Sequence, residues 1–351
     1  MRRIRPALLY TLLLFSLGYV WPVPLQILAT GDMHGWLQSQ PMGKQQVGGA
    51  AELLAYWQHV EGYAPGKFLV LGCGDFNTGP VLATAMQGDP MVEVMNLMGY
   101  NACALGNHEF DYGIDRIAHW QALAKFPLLA ANLANLDGTP TTLTPPYSII
   151  DVQGVKVGIV GLITTGLPTL TNQATTLKVL PYAETLRRVV PEVRKHGAQV
   201  VIVLSHIPQP ELKALANQVA ELDIPLMLGG HSHELDQLKE GKTWVVNSGE
   251  QWDAYSRIDL DYDQDSGKTV VLRAAQVWLQ QTKPEANSAV AQAIARWQKT
   301  LDVEYGKIVG YTATGLARQD GIYNFVDDCT LAMDPLADVA LTNDGSMRQD
   351  I

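Results

Sequence analysis

Ala104-Leu-Gly-Asn-His-Glu-Phe-Asp-Tyr-Gly113 is the stretch on which the reading of this chain turns. It leaves a short apolar run, Ala102 to Leu105, that predicts a buried strand. Asn107 and His108 stand on the turn out of that strand, one offering a carbonyl oxygen and the other an imidazole nitrogen. Asp111 follows three residues later, close enough to orient His108, and Glu109 reads as structural, a partner for nearby backbone donors. Four other segments share this design. Leu25 to Ala29 precedes Asp32 and His34, and Phe68 to Leu71 precedes Gly74 and Asp75. Val200 to Leu204 precedes His206, and Leu226 to Leu228 precedes Gly229, Gly230, His231 and His233.

In an α/β sheet, ligands bind outside the carboxyl ends of the strands. Five strands ending this way converge their side chains on one rim, the geometry of a metal site drawn from distant parts of the chain. Taken singly, each Asp or His is explained equally well as a turn residue or a helix N-cap. Taken together they are not: of eight histidines, only His59, His119 and His196 fall outside these segments.

Asp32-Met-His34, Gly74-Asp75, Gly106-Asn-His-Glu109, His206 and Gly230-His-Ser-His233 occur in the order of the calcineurin-like metallophosphoesterase signature. The chain resembles that superfamily over roughly residues 25 to 280. Gly74-Asp-Phe-Asn-Thr-Gly79, Gly106-Asn-His-Glu-Phe-Asp111 and the run from Trp244 to Trp252 resemble its 5′-nucleotidase branch, which includes periplasmic UDP-sugar hydrolases. The resemblance implies a four-layer α/β/β/α sandwich of two mixed sheets. It also implies two divalent cations, one held by Asp32, His34, Asp75 and His233, the other by Asp75, Asn107, His206 and His231. Asp75 is shared because a carboxylate can bridge. Nitrogen and oxygen ligands without sulfur suit Zn, Mn, Fe or Co better than Ca or Mg. Neutral imidazoles and an amide leave the site net positive even after Asp32, Asp75 and a bridging hydroxide are counted. A metal-bound hydroxide, available because bound water has a pKa near 7, is the expected nucleophile. His108 is expected to assist the leaving group, with Asp111 favouring its charged form.

The leading expectation is hydrolysis of 5′-nucleotides or related small phosphate esters. A cyclic-nucleotide or sugar-nucleotide phosphodiesterase, or a thiosulfohydrolase-like enzyme, fits the same site. A truncated, catalytically impaired metal-binding protein is the non-enzymatic alternative. The net charge of −10 argues against a nucleic-acid polymer as partner. It does not argue against a phosphate ester, because charge is screened over about 8 Å and bound cations dominate locally.

Length and composition, 351 residues with 47% apolar and 17% charged, describe a globular chain with room for two domains. Residues 1–21 read as a targeting segment: Arg2, Arg3 and Arg5, then an apolar stretch from Ala7 to Trp21. That stretch is shorter than the about 20 residues of a membrane span and fits a signal peptide, so the protein is expected to be periplasmic or secreted. An uncleaved N-terminal anchor is the alternative and would be its membrane contact. Arg2-Arg3 lacks the surroundings of a twin-arginine signal. No Cys-x-x-Cys pair is present; Cys73 and Cys103 read as buried free thiols rather than a bridge.

Helices are predicted over 48–59, 90–98, 114–124, 183–196 and 210–221, from apolar spacing and from Pro and Gly at their ends. Further strands are predicted over 126–132, in a hairpin of 147–152 with 156–162, and over 243–248, 255–263 and 269–278. Residues 164–178 read as an irregular loop near the site. The metallophosphoesterase domain is expected over 25–282, followed by a linking helix within 283–306. Asp338 to Arg348 resembles the opening of the second domain of 5′-nucleotidases, where an Asn-Gly-Gly-x-x-Arg turn supplies a substrate-binding arginine. Here the turn reads Asn343-Asp-Gly-Ser-Met-Arg348, so Arg348, with Asn107, is expected to bind substrate. Arg318 is a weaker candidate. Residues 307–351 are expected to be an incomplete start of that domain, without the family's later aromatic pair.

Overall fold

A computed structural model describes residues 21–42, 45–279, 288–308, 311, 313–317, 321–334 and 336–342. Residues 1–20 of the expected targeting segment, Arg318 and Arg348 lie outside the described residues. The chain divides into two compact units, one through Leu301 and a second from Asp302. Within the second, a helix spans Tyr323–Met333, and the Thr342 hydroxyl donates to Asp327.

The first unit is built on two six-stranded mixed sheets. The first runs, in spatial order, Thr269–Trp278, Ala254–Tyr262, Val23–Thr30, Leu69–Gly72, Ala102–Ala104 and Leu128–Leu129; the last four strands are parallel. The second runs Leu235–Glu240, Thr243–Ser248, Leu226–Gly229, Val200–His206, Val155–Ile163 and Tyr147–Val152, with its four inner strands parallel.

Side-chain alternation explains the layering. Leu25, Ile27 and Ala29 join Leu69, Leu71, Val200, Ile202 and Leu204 in one buried cluster between the sheets. The intervening Leu28 and Val70 join a second cluster with Leu53, Trp57, Met95 and Trp120 from helices on the outer face of the first sheet. Val201 and Val203 meet Leu186, Val189, Leu212 and Leu215 from helices on the outer face of the second. Both faces of each sheet are therefore covered, as the near-continuous apolar strands require. This is the four-layer α/β/β/α arrangement the resemblance implied.

The helices form at Ala50–Tyr56, continued by a wider turn to Glu61, and at Asp89–Met98, Ile114–Leu123, Tyr182–Lys195 and Gln209–Gln218. The stripe over 285–303 forms a helix, Ala289–Tyr305. Within the first unit its Arg296 and Trp297 both donate to Glu93.

Two expectations change, and one strand is added. The strand over 126–132 contracts to Leu128–Leu129, because the chain then crosses from one sheet to the other: Ala131 N–H donates to the Gly161 carbonyl. A Cβ on Gly161 would fall 2.3 Å from Leu129 Cβ, so only glycine allows that approach. Residues 164–178 are more ordered than an irregular loop: a one-turn helix, Leu167–Leu170, and a strand, Leu177–Val179, paired with Leu133–Asn135. The edge strand Leu235–Glu240 lacks apolar alternation, which hid it in the sequence.

Candidate metal centre and active site

The parallel strands of both sheets end at one rim and present the candidate residues there. Asp32 and His34 follow Val23–Thr30, Asp75 follows Leu69–Gly72, and Asn107 and His108 follow Ala102–Ala104. His206 ends its own strand, and His231 and His233 follow Leu226–Gly229. The turns are tight and strained. Asp32 (φ 46°), His34 (45°), Asp75 (50°), His231 (76°) and His233 (59°) all hold the left-handed conformation. Such backbone is costly for side chains with a Cβ and gathers at functional sites. The adjoining glycines leave no room for alternatives: a Cβ on Gly106 would lie 2.1 Å from Asp75 Oδ1.

All seven expected ligands meet there. Asp32, His34 and His233 form one group whose ligand atoms lie within 4.8 Å of one another; Asp75, His206 and His231 form another. His34 Nε2 is 3.0 Å from His233 Nε2. His206 Nε2 is 3.1 Å from Asp75 Oδ2, 3.2 Å from Asn107 Oδ1 and 3.2 Å from His231 Nδ1. Asp75 also groups with His34 and His108, which places it between the two sets. Converging acceptor atoms on imidazole, carboxylate and amide, with no thiolate, fit a divalent cation.

The sequence matches the calcineurin-like phosphoesterase family over residues 25–235. The chain belongs to that family. Its members are metal-dependent phosphoester hydrolases. At 25% identity over 397 aligned positions it is similar to the cell wall protein Lmo0130 of Listeria monocytogenes, with 94% of this chain and 50% of that one covered. It is 28% identical to 5′-nucleotidase of Homo sapiens over 341 positions, covering 85% and 58%. The 5′-nucleotidase precursor of Thermus thermophilus shares the fold, with a TM-score of 0.74 at 24% identity over 89% of this chain and 67% of that one. The chain thus spans about half to three-fifths of the length of these curated relatives.

Around the cluster of this phosphoesterase-family chain, a further set of groups fixes each imidazole. His206 Nδ1–H donates to the Cys73 carbonyl at 2.8 Å, which leaves Nε2 turned to Asp75. His233 Nδ1 pairs with Glu250 at 2.8 Å, which leaves Nε2 facing His34 and Asp32. Orienting partners of this kind accompany most metal-binding histidines. Glu109 is fully buried and accepts from the backbone N–H groups of Asp75, Phe76 and Gly106 and from Asn77 Nδ2. That agrees with its reading as a structural acceptor.

His108 Nδ1 lies 2.7 Å from Asp111 Oδ2, and Thr78 Oγ1 meets the same oxygen at 2.8 Å. Asp111 does not cap the following helix, whose N-cap is Gly113 with no side-chain bond. Beside Asp111, residues Pro168–Gln173 and Thr175 line an open depression of about 660 Å³.

Charge within the site is strongly redistributed. Burial opposes ionisation of Asp75, but the imidazoles of His206, His108 and His34 outweigh it and hold its carboxyl well below the ordinary range. Burial, partly offset by His206, pushes Asp32 up to about 7. Burial also works against a charge on His206, yet Asp75 and Asp32 raise it to about 10. The carboxylates thus create a field that demands positive charge at the cluster. Burial, then His206, lowers His231, which favours a free lone pair. His108 is raised despite its burial, chiefly by the bond to Asp111.

Glu250 and Thr78 had no role assigned from sequence. Glu250 follows Thr243–Ser248, another parallel strand ending at the same rim, so the strand-end rule carried one step further finds it. Thr78 carries no comparable signal. Cys73 and Cys103 are buried free thiols.

Proposed function

We propose that this protein hydrolyses small phosphate esters, with 5′-nucleotides the leading substrate class, on a pair of divalent cations. The observation that carries the reading is Asp75, a buried carboxylate standing between two sets of ligands. Asp32, His34 and His233 would hold one cation with Asp75, and Asn107, His206 and His231 would hold the other with Asp75. Bound divalent cations supply Lewis acidity and bring the pKa of water near 7. The chain's own residues do the rest. Neutral imidazoles and the Asn107 amide bind without adding negative charge, so the rim attracts a phosphate dianion. Asn107 also contacts the substrate; Arg348, the other residue expected to do so, lies outside the described residues.

His108 serves the leaving group. Asp111 holds Nδ1–H, which turns Nε2–H to the departing oxygen. As the water oxygen bonds to phosphorus and the ester P–O bond breaks, that proton passes to the alcohol. Such assistance contributes on the order of 10²–10⁴-fold.

A phosphodiester or a thiosulfate-type ester uses the same donors, so substrate choice is decided by measurement. A panel on Mn-loaded protein separates the readings: turnover of AMP that EDTA abolishes supports the proposal. Preference for cyclic nucleotides or sugar nucleotides moves it to a phosphodiesterase. Bound metal without turnover of any ester overturns it in favour of a metal-binding protein. We place the catalytic domain at 25–282 and a segment similar to part of a nucleotidase second domain at 307–351, with the helix Ala289–Tyr305 lying between them in sequence. A location outside the cytoplasm accords with the basic and apolar N-terminus and with the cell-wall name of the Listeria relative. Among the described residues no helix is long and apolar enough to cross a membrane.

A further inference from the structure

Thr78 is β-branched and sits at φ 64°, a conformation that such residues rarely adopt. Its neighbours impose it. His34 N–H and Gly35 N–H donate to the carbonyls of Asp75 and Phe76, so the two site turns lie against each other. A Cβ on Gly79 would come within 1.9 Å of the His34 carbonyl oxygen. On the other side, Asn77 is held by Glu109 through its Nδ2. That bond settles the orientation of the Asn77 amide and turns Oδ1 to Thr78, 2.6 Å from the hydroxyl.

The hydroxyl therefore has one hydrogen and two acceptors, Asn77 Oδ1 and Asp111 Oδ2. The hydrogen is shared between them in a three-centre bond, and the charged Asp111 carboxylate is the stronger acceptor of the two. Asp111 Oδ2 then receives two donors, Thr78 Oγ1–H and His108 Nδ1–H. Two donors leave the carboxylate little freedom to turn, and the imidazole follows it. Because the chain Glu109–Asn77–Thr78–Asp111–His108 begins at a fully buried group, the exposed acid is referenced to the core.

We propose that Thr78 is a positioning residue for His108: its hydroxyl, presented by strained backbone, fixes the Asp111 carboxylate that aims the imidazole at the leaving group. The inference rests on the proposed role of His108, and the test keeps the two apart. Wild type, His108→Ala, Thr78→Val, Thr78→Ser and Thr78→Gly are loaded with Mn and assayed on aryl and alkyl phosphates of increasing leaving-group pKa.

Thr78→Val keeps the shape and the β-branch but loses the hydroxyl. Its kcat is expected to fall about tenfold on the poorest leaving group, a fraction of the whole acid effect, and little on the best, with KM and metal content unchanged. Thr78→Ser is expected within about twofold of wild type. Thr78→Gly relieves the backbone, melts at or above wild type, and is nonetheless slow like Thr78→Val. Wild-type kcat for Thr78→Val or Thr78→Gly on the poorest leaving group, beside a slow His108→Ala, overturns the inference alone. Undiminished turnover by His108→Ala overturns the proposed acid role and this inference with it.

Discussion

His206 and His108 stand on the same rim and are set up in opposite ways. His206 ends a strand, exposes none of its side chain, and gives its Nδ1–H to a backbone carbonyl. His108 stands on a 3₁₀ turn, exposes 31% of its side chain, and gives its Nδ1–H to a carboxylate that is itself bonded to Thr78. A carbonyl orients a ring without adding a charge, which suits a metal ligand. A carboxylate orients it and favours the protonated form, which suits an acid. The residue type is the same; the partner of the second nitrogen divides the roles. On the proposed reading, the rim has a rigid floor that holds charge and a reachable edge that moves a proton.

Substitutions break this division in graded ways. The largest effect belongs to the floor. Asp75→Asn removes the carboxylate between the two ligand sets, so metal content measured by atomic absorption falls and turnover drops to background. His108→Ala is expected next: kcat falls by about 10²–10⁴-fold with both cations retained, and the loss is steepest for poor leaving groups. Equal metal loss in the two variants would erase the distinction between floor and edge. Glu250→Gln keeps an acceptor for His233 but removes its charge; metal affinity or activity is expected to weaken about 10–100-fold, read by competition with a chelator.

The smallest effect concerns a carboxyl with one orphaned oxygen. Asp253 Oδ1 is buried without a hydrogen bond among the described residues. Burial, then Glu250, raises its pKa from 3.8 to about 6. A folded-state pKa above the unfolded one means that stability is fully present below pH 3.8 and is lost as pH rises through about 6. Asp253→Asn removes that loss. Its melting temperature relative to wild type is expected to rise between about pH 4 and about pH 8, and a constant difference would contradict the assignment.

Much of the site was legible because two signals coincide. Apolar runs such as Leu25–Ala29 and Val200–Leu204 announce buried strands, and the polar residues after them supply the candidate ligands. The layering followed from the same runs, since a strand apolar on both faces needs cover on both. What escaped depends on contacts between segments far apart in the chain. Ala131 leaves one sheet for the other because Gly161, thirty residues on, lacks a side chain. Leu235–Glu240 is a strand because Thr243–Ser248 pairs with it, not because of its own pattern. Thr78 looks like any loop threonine until the turns that pin it are folded against each other. Asp111 was legible only as one of two alternatives, and its bonds to His108 and Thr78 decide between them.

The central claim is that seven side chains hold two cations side by side with Asp75 between them. Anomalous diffraction from crystals grown with Mn tests it directly. The account predicts two peaks about 3.5–4 Å apart, one against Asp32, His34 and His233 and the other against Asn107, His206 and His231, both within bonding distance of Asp75. A single peak, or a peak bonded to His108, would contradict it.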